Sequence, residues 1–224
     1  MQPEFANDQY YHIYNRGVDK REIFLFRKDY ERFLRILNEF NTYRPVNISV
    51  MDRVDNIEVA PRTDEEKLVD ILCYCLMPNH FHLLIKQISE NGITKFMRKI
   101  GTGYTMYFNI KNERTGRLFE SRFKAKIIDK DSYLTHISRY IHLNPLEIIE
   151  PNWKEKGIED WKRAKEFLKE YQWSTFNNYV NSPEAYSTKK NVLGEIFENK
   201  KEYEKFIKEY TQKDLEKINA LVLE

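Results

Sequence analysis

Val69-Asp70-Ile71-Leu72-Cys73-Tyr74-Cys75-Leu76-Met77-Pro78-Asn79-His80-Phe81-His82-Leu83-Leu84-Ile85-Lys86 reads as two apolar strands, Val69 to Leu76 and His80 to Lys86, joined by a Pro78-Asn79 turn. Strand side chains alternate, so His80 and His82 share one face of the hairpin. Two imidazoles on one rigid edge suit a metal site or a proton-transfer pair. By itself a His-x-His pair in a strand is more often structural or incidental.

Upstream, Gln9 to Tyr14 alternates aromatic and polar residues before Asn15-Arg16-Gly17, the pattern of a first strand closed by a turn. Asp29 suits a helix N-cap, and Tyr30, Phe33, Leu34, Ile36, Leu37 and Phe40 recur at helical spacing up to about Tyr43. Residues 44–68 are polar, contain Pro45 and Pro61, and read as a connection or insertion. Downstream, Ile93 to about Asn109 carries Ile93, Phe96, Met97, Ile100, Tyr104 and Tyr107 along one helical side. A turn at Asn112 to Gly116, a strand from Phe123 to Ile128, and a helix capped by Asp131 or Ser132 and running through Leu143 follow. The order β-α-β-β-α-β plus a helix predicts an α+β fold: a ferredoxin-like βαββαβ core with an antiparallel sheet and a C-terminal helix. Residues 1–150 form the expected core domain and 151–224 a mostly helical extension, its last helix running from Glu195 or later toward Leu221.

With 224 residues, 41% of them hydrophobic, the chain can bury a core without disulfide staples. The net charge of +2, from 37 basic against 35 acidic residues, announces no polyanionic partner. Its distribution says more: from Lys95 to Lys126 nine basic residues stand against two acidic ones. Arg114, Arg117, Arg122, Lys124 and Lys126, with Arg16 at a strand end, are candidate phosphate contacts, and Tyr104, Tyr107, Phe119 and Phe123 candidate stacking platforms for unpaired bases. A solvated basic face and ordinary core aromatics are the alternative. Cys73 and Cys75, two apart in a strand, match neither a disulfide framework nor the paired cysteines of a zinc site, and read as buried thiols. No apolar run approaches the roughly 20 residues of a membrane helix and no secretory leader is visible, so the expectation is a cytoplasmic protein with no membrane association.

The third helix ends in Tyr140-Ile141-His142-Leu143-Asn144-Pro145. Residues four apart on a helix lie above one another, so Tyr140 and Asn144 project from one side, with His136 a turn earlier. Pro145 disfavours helical geometry at Asn144 and should end the helix there. His136 and His142 read as supporting or surface residues. Two histidines, an amide oxygen and a tyrosine together suit phosphoryl transfer to a tyrosine nucleophile. A divalent cation, Mg2+ or Mn2+, held by His80, His82 and Asn144 would polarise a scissile phosphate, and Tyr140 would attack phosphorus, conserving the diester energy for rejoining. With an ordinary pKa near 10, the tyrosine needs a base or a nearby cation.

Several segments resemble the REP-associated tyrosine transposases, within the wider class of single-tyrosine HUH transposases. They are Tyr11-His12-Ile13-Tyr14-Asn15-Arg16-Gly17, the Met77 to Leu84 run, Gly116-Arg117-Leu118-Phe119-Glu120-Ser121-Arg122-Phe123-Lys124, Asp131-Ser132-Tyr133-Leu134 and Ser138-Arg139-Tyr140-Ile141-His142-Leu143-Asn144-Pro145. The similarity runs from about Tyr10 to Pro145, and Tyr171-Gln172-Trp173-Ser174 is similar to a further family element. The resemblance implies an enzyme that cleaves and rejoins single-stranded, often hairpin DNA through a 5′-phosphotyrosine. His80 and His82 would be its HUH histidines, Tyr140 its nucleophile and Asn144 its third metal ligand, and monomers and homodimers both occur among relatives. Leu146-Glu147-Ile148, Ser121 and the long 44–68 segment depart from the pattern. Two rival readings, a non-catalytic DNA- or RNA-binding protein and a hydrolytic metal-dependent phosphodiesterase, do not require the Tyr140 and Asn144 spacing.

Overall fold

The structure, a computed structural model, describes residues 3–46, 66–181, 197 and 199–218. The sheet comprises β1 (Tyr10–Arg16), β2 (Val69–Met77), β3 (His80–Gln87) and β4 (Lys124–Ile128), in the spatial order β2-β3-β1-β4 with every neighbour antiparallel. The helices α1 (Arg27–Glu39) and α2 (Gly92–Lys111) make the two crossovers, giving the split βαβ arrangement expected of a ferredoxin-like α+β fold. After β4 come α3 (Asp131–Leu143), a 3-10 turn (Asn144–Ile148), α4 (Trp153–Lys156), α5 (Trp161–Glu170), α6 (Phe176–Asn181), α7 (Lys200–Lys208) and α8 (Gln212–Ile218). The long helix expected toward Leu221 is instead α7 and α8, separated at Tyr210 and Thr211; the residues after 218, and most of 44–68, lie outside the described ones.

Strand alternation splits the molecule into two cores. Tyr11 and Ile13 of β1 and Phe81, Leu83 and Ile85 of β3 face α1 and α2, where Phe33, Leu37, Phe96, Ile100 and Tyr104 close over them. The intervening residues face α3 and the helices after it, and Leu84, Ile137, Tyr140, Ile141, Trp153, Leu168, Phe176 and Tyr203 form this second core. A register shift between Ile71 and Cys73 reverses the parity of β2: Ile71 pairs with Ile85, but Cys73 pairs with Leu84 and Cys75 with His82. Both thiols are therefore buried on the histidine side, free and reduced, and burial pushes them well above the usual thiol range.

The outer edge of β2 is covered by the chain itself. Leu76 N donates to Trp173 O at 2.9 Å, Thr175 N donates to Tyr74 O at 3.1 Å, and the Tyr171 and Tyr179 hydroxyls donate to Leu76 O and Leu72 O. The segment after residue 150 thus shares a core with the sheet and shields one of its edges from other strands. Asn41 ties the two described ends of the 44–68 connection together, donating to Val69 O and accepting from Leu68 N and Val69 N.

Three local readings need correction. Asp29 sits in the first turn of α1, not at its cap; its carboxylate reaches back to accept from Leu25 N and from the cap residue Phe26 N. Asn144 keeps helical angles, φ −50° and ψ −40°, despite Pro145: the α-helix stops at Leu143, but a 3-10 turn carries the chain onward because Pro tolerates a first helical position. Of the proposed stacking aromatics, Tyr104, Phe119 and Phe123 are buried in the first core and present no open face for a base, while half-buried Tyr107 donates from its hydroxyl to Asp29.

Candidate active site

The antiparallel register sets His82 opposite Tyr14 on one side and Cys75 on the other, and His80 opposite Arg16 and Met77. His12, two residues before Tyr14 on β1, reaches diagonally to His82: its Nε2 lies 2.9 Å from His82 Nδ1. The rings of His12, Tyr14 and His82 stack, with centroids 4.9 to 5.9 Å apart. Because Nδ1 of His82 is engaged with His12, its Nε2 is the nitrogen left for a ligand, and that atom is buried with no hydrogen bond. Burial, together with the charges of His80, His12 and Lys154, holds His82 well below the usual histidine range, so the ring is neutral, the form that ligates metals. His80 has Nδ1 2.6 Å from Asn79 Oδ1, and its Nε2 is buried as well.

From the opposite side α3 lays Tyr140 against this edge, its ring 5.6 Å from that of His82 at an interplanar angle of 88°. One turn later Asn144, fully buried, donates from Nδ2 to Tyr140 O at 2.8 Å, and its Oδ1 has no hydrogen bond. Leaving a buried polar atom unpaired costs about 1–3 kcal/mol. Two imidazoles and an amide oxygen, two of them carrying such atoms, fit a divalent cation that keeps positions for water or phosphate. Among the described residues no group of three or more His, Cys, Asp or Glu is arranged around a metal position, so the amide would be integral to the ligand set.

The sheet end opens into a cleft with about 570 Å³ of empty space, lined by Tyr14, Asn15, Arg16, Asn79, His80, His82, Lys124 and Glu147. Its rim is built by two docked turns. Gly17 N donates to Asn79 O and Pro78 O accepts from Ile23 N; a Cβ on Gly17 would lie 2.2 Å from Arg21 O, so only glycine allows this approach. Asn15 donates to Ser121 O and Arg122 O, fastening the Leu118 to Arg122 loop beside β1, while Arg16 Nε donates to Glu120 Oε1 at 2.9 Å.

The basic candidates separate accordingly. Arg16 and Lys124 line the cleft, Lys124 with its ammonium 5.7 Å from the Tyr14 ring centroid; Lys126 pairs with His12 in the register, and exposed Arg122 borders the loop. Arg114 is turned onto the end of α2, donating to Asn109 Oδ1 and Arg117 O, and Arg117 is exposed there. His142 is not a surface residue: it is buried, bonded to Tyr203 and Thr175, and burial pushes it down to about 3. His136 contacts Arg139 and Asp214, away from the metal side chains.

Sequence reasoning gave no role to His12, Glu147 or Lys154. Tyr140 is only 1% exposed and does not line the cleft. Its hydroxyl accepts a hydrogen bond from Lys154 Nζ at 3.1 Å, and Lys154 is ion-paired with Glu147, which does line it. His12 was visible as a third histidine in a strand, but its pairing with His82 depends on register, and Lys154 carries no local signal at all.

A family model described as "Transposase IS200 like" matches residues 6–144. The chain belongs to that family. The match spans the whole βαββαβ core and ends at Asn144, so this IS200-like transposase has its tyrosine helix inside the family segment and its Lys154 outside it. A solved structure, a REP-associated tyrosine transposase bound to a REP hairpin, superposes with a TM-score of 0.52 at 14% identity, covering 81% of this chain and 85% of that one. At that identity the likeness is one of fold. No curated protein matches the chain. Among the described residues no helix is long and apolar enough to cross a membrane.

Proposed function

We propose that this IS200-like transposase is a DNA strand transferase that cleaves and rejoins single-stranded, hairpin-containing DNA through a 5′-phosphotyrosine on Tyr140. One observation carries the reading: on a single sheet face, the buried Nε2 of neutral His82 and the buried Oδ1 of Asn144, both without hydrogen bonds, flank one tyrosine. His80, His82 and Asn144 would hold Mg2+ or Mn2+, which when bound supplies Lewis-acid polarisation of the scissile phosphate. The Tyr140 oxygen attacks phosphorus, a new O–P bond forms as the bond to the 3′ oxygen breaks, and the diester energy is retained for the reverse attack. Arg16, Lys124, Lys126 and Arg122 hold backbone phosphates at the cleft, with Arg114 and Arg117 extending the basic strip along the loop. A hairpin is proposed as the DNA class because the structural relative carries one. Residues 1–150 constitute the catalytic domain on this reading, and 151–224 the extension that closes it.

The test is incubation with a panel of labelled single-stranded hairpins and Mg2+ or Mn2+, followed by denaturing electrophoresis and peptide mapping. The expected product is a covalent complex with the nucleotide on Tyr140, reduced ~10⁴-fold or more in Tyr140→Phe at unchanged hairpin binding. A free 5′-phosphate without adduct would make the protein a hydrolase. Salt-sensitive binding with no adduct under either metal would make it a binding protein.

A further inference from the structure

Lys154 follows the buried Trp153 in α4, a four-residue helix beyond the family match. Trp153 is locked in the second core, its ring 4.9 Å from Tyr210, and Tyr210 donates from its hydroxyl to Lys154 O. The extension thereby fixes the backbone from which the lysine reaches back to α3. Its ammonium donates to Tyr140 Oη at 3.1 Å, lies 5.0 Å from that ring's centroid, and pairs with Glu147, with only 16% of the side chain exposed. Glu147 in turn lines the cleft beside His80 and His82.

We infer that Lys154 is a catalytic residue that stabilises negative charge on the Tyr140 oxygen, and that Glu147 is the positioning residue that aims it; the inference rests on the strand-transfer reading and deepens it. A phenol attacking phosphorus must shed its proton, and a phenolate is again the leaving group when the strands rejoin. A fixed ammonium at hydrogen-bond distance from that oxygen serves both directions, and it is stronger for being largely out of water. In cleavage the O–P bond forms and the P–O3′ bond breaks. The phenolic proton passes to water that enters with the DNA strand as it reaches the buried phenol, the departing 3′ oxygen takes one from water, and Lys154 keeps its own protons throughout. The Glu147 carboxylate, ion-paired with the ammonium, holds it in place. The cation that the tyrosine requires thus comes from the extension, not from the family core.

The experiment measures adduct formation from a labelled single-stranded hairpin for the wild type, Lys154→Met, Lys154→Arg and Glu147→Gln, alongside hairpin affinity and thermal unfolding. Lys154→Met is expected to slow adduct formation about 100-fold at an unchanged unfolding midpoint. Lys154→Arg recovers most of the rate, Glu147→Gln loses roughly 3- to 10-fold, and hairpin affinity stays within about twofold throughout. Wild-type rates for Lys154→Met overturn the inference while leaving the strand-transfer reading intact. So does a loss that Lys154→Arg shares in full, since that marks a structural role. If the wild type itself forms no adduct, the strand-transfer reading falls and this role falls with it.

Discussion

On the face of the sheet covered by α1 and α2, the carboxylate of Asp29 is completely buried and completely served: Lys111, Tyr107, Leu25 N and Phe26 N all donate to it. Burial alone would raise its pKa, and those donors outweigh burial and hold it below the usual carboxylate range. On the opposite face, His82 and Asn144 are as deeply buried, yet each keeps a polar atom without a hydrogen bond. The two sides of one sheet thus hold buried polar groups served to different degrees: Asp29 of α1 is met at both oxygens, whereas His82 of β3 and Asn144 at the end of α3 each keep one atom unmet. The unmet atoms of His82 and Asn144 belong to side chains that ligate metals, which is why a ligand is expected there.

The contrast can be broken by substitution on each face. The largest stability effect is expected on the scaffold side: Phe33→Ala, which empties a site between Phe24, Phe81 and Tyr104, should cost about 3–5 kcal/mol in denaturant unfolding. Per folded molecule it should leave adduct formation unchanged; an equal loss of both would show that the faces are not separable. On the site side, His12→Phe keeps an aromatic ring but removes the partner of His82 Nδ1. Mn2+ affinity by calorimetry should fall roughly 10- to 100-fold, and unchanged affinity would remove His12 from the orientation of the ligand.

The smallest effect concerns how the last helix is tied down. Asp214 accepts from Thr211 and pairs with Arg139 of α3, and these contacts outweigh burial to bring its carboxyl down to about 2. A depressed carboxylate stabilises the fold above its unfolded value near 3.8, and that contribution is lost as pH falls through about 2. Discounted for solvent screening it amounts to on the order of 1 kcal/mol, read as the drop in urea midpoint between pH 5 and pH 2.5 that Asp214→Asn should abolish.

Much of this was legible along the chain because it is periodic and local. Alternation placed His80 and His82 on one face, and the four-residue spacing of Tyr140 and Asn144 survived even though the turn at Pro145 proved helical. Of the two readings open for the aromatics of 104–123, the core one holds for Tyr104, Phe119 and Phe123; periodicity says that a face is apolar, not which layer will cover it. The bulge at Leu72, which turns Cys73 and Cys75 toward the histidines, leaves no trace in composition.

The sequence by itself determined the order of strands and helices, the histidine pair and the tyrosine helix, because each is encoded by neighbours within a few residues. Tertiary structure alone decided that His12 meets His82 across 70 positions and that Lys154 meets the tyrosine hydroxyl. Those contacts arise from strand register and from a tryptophan anchored in the second core, and a chain specifies them only through the sum of its packed interactions.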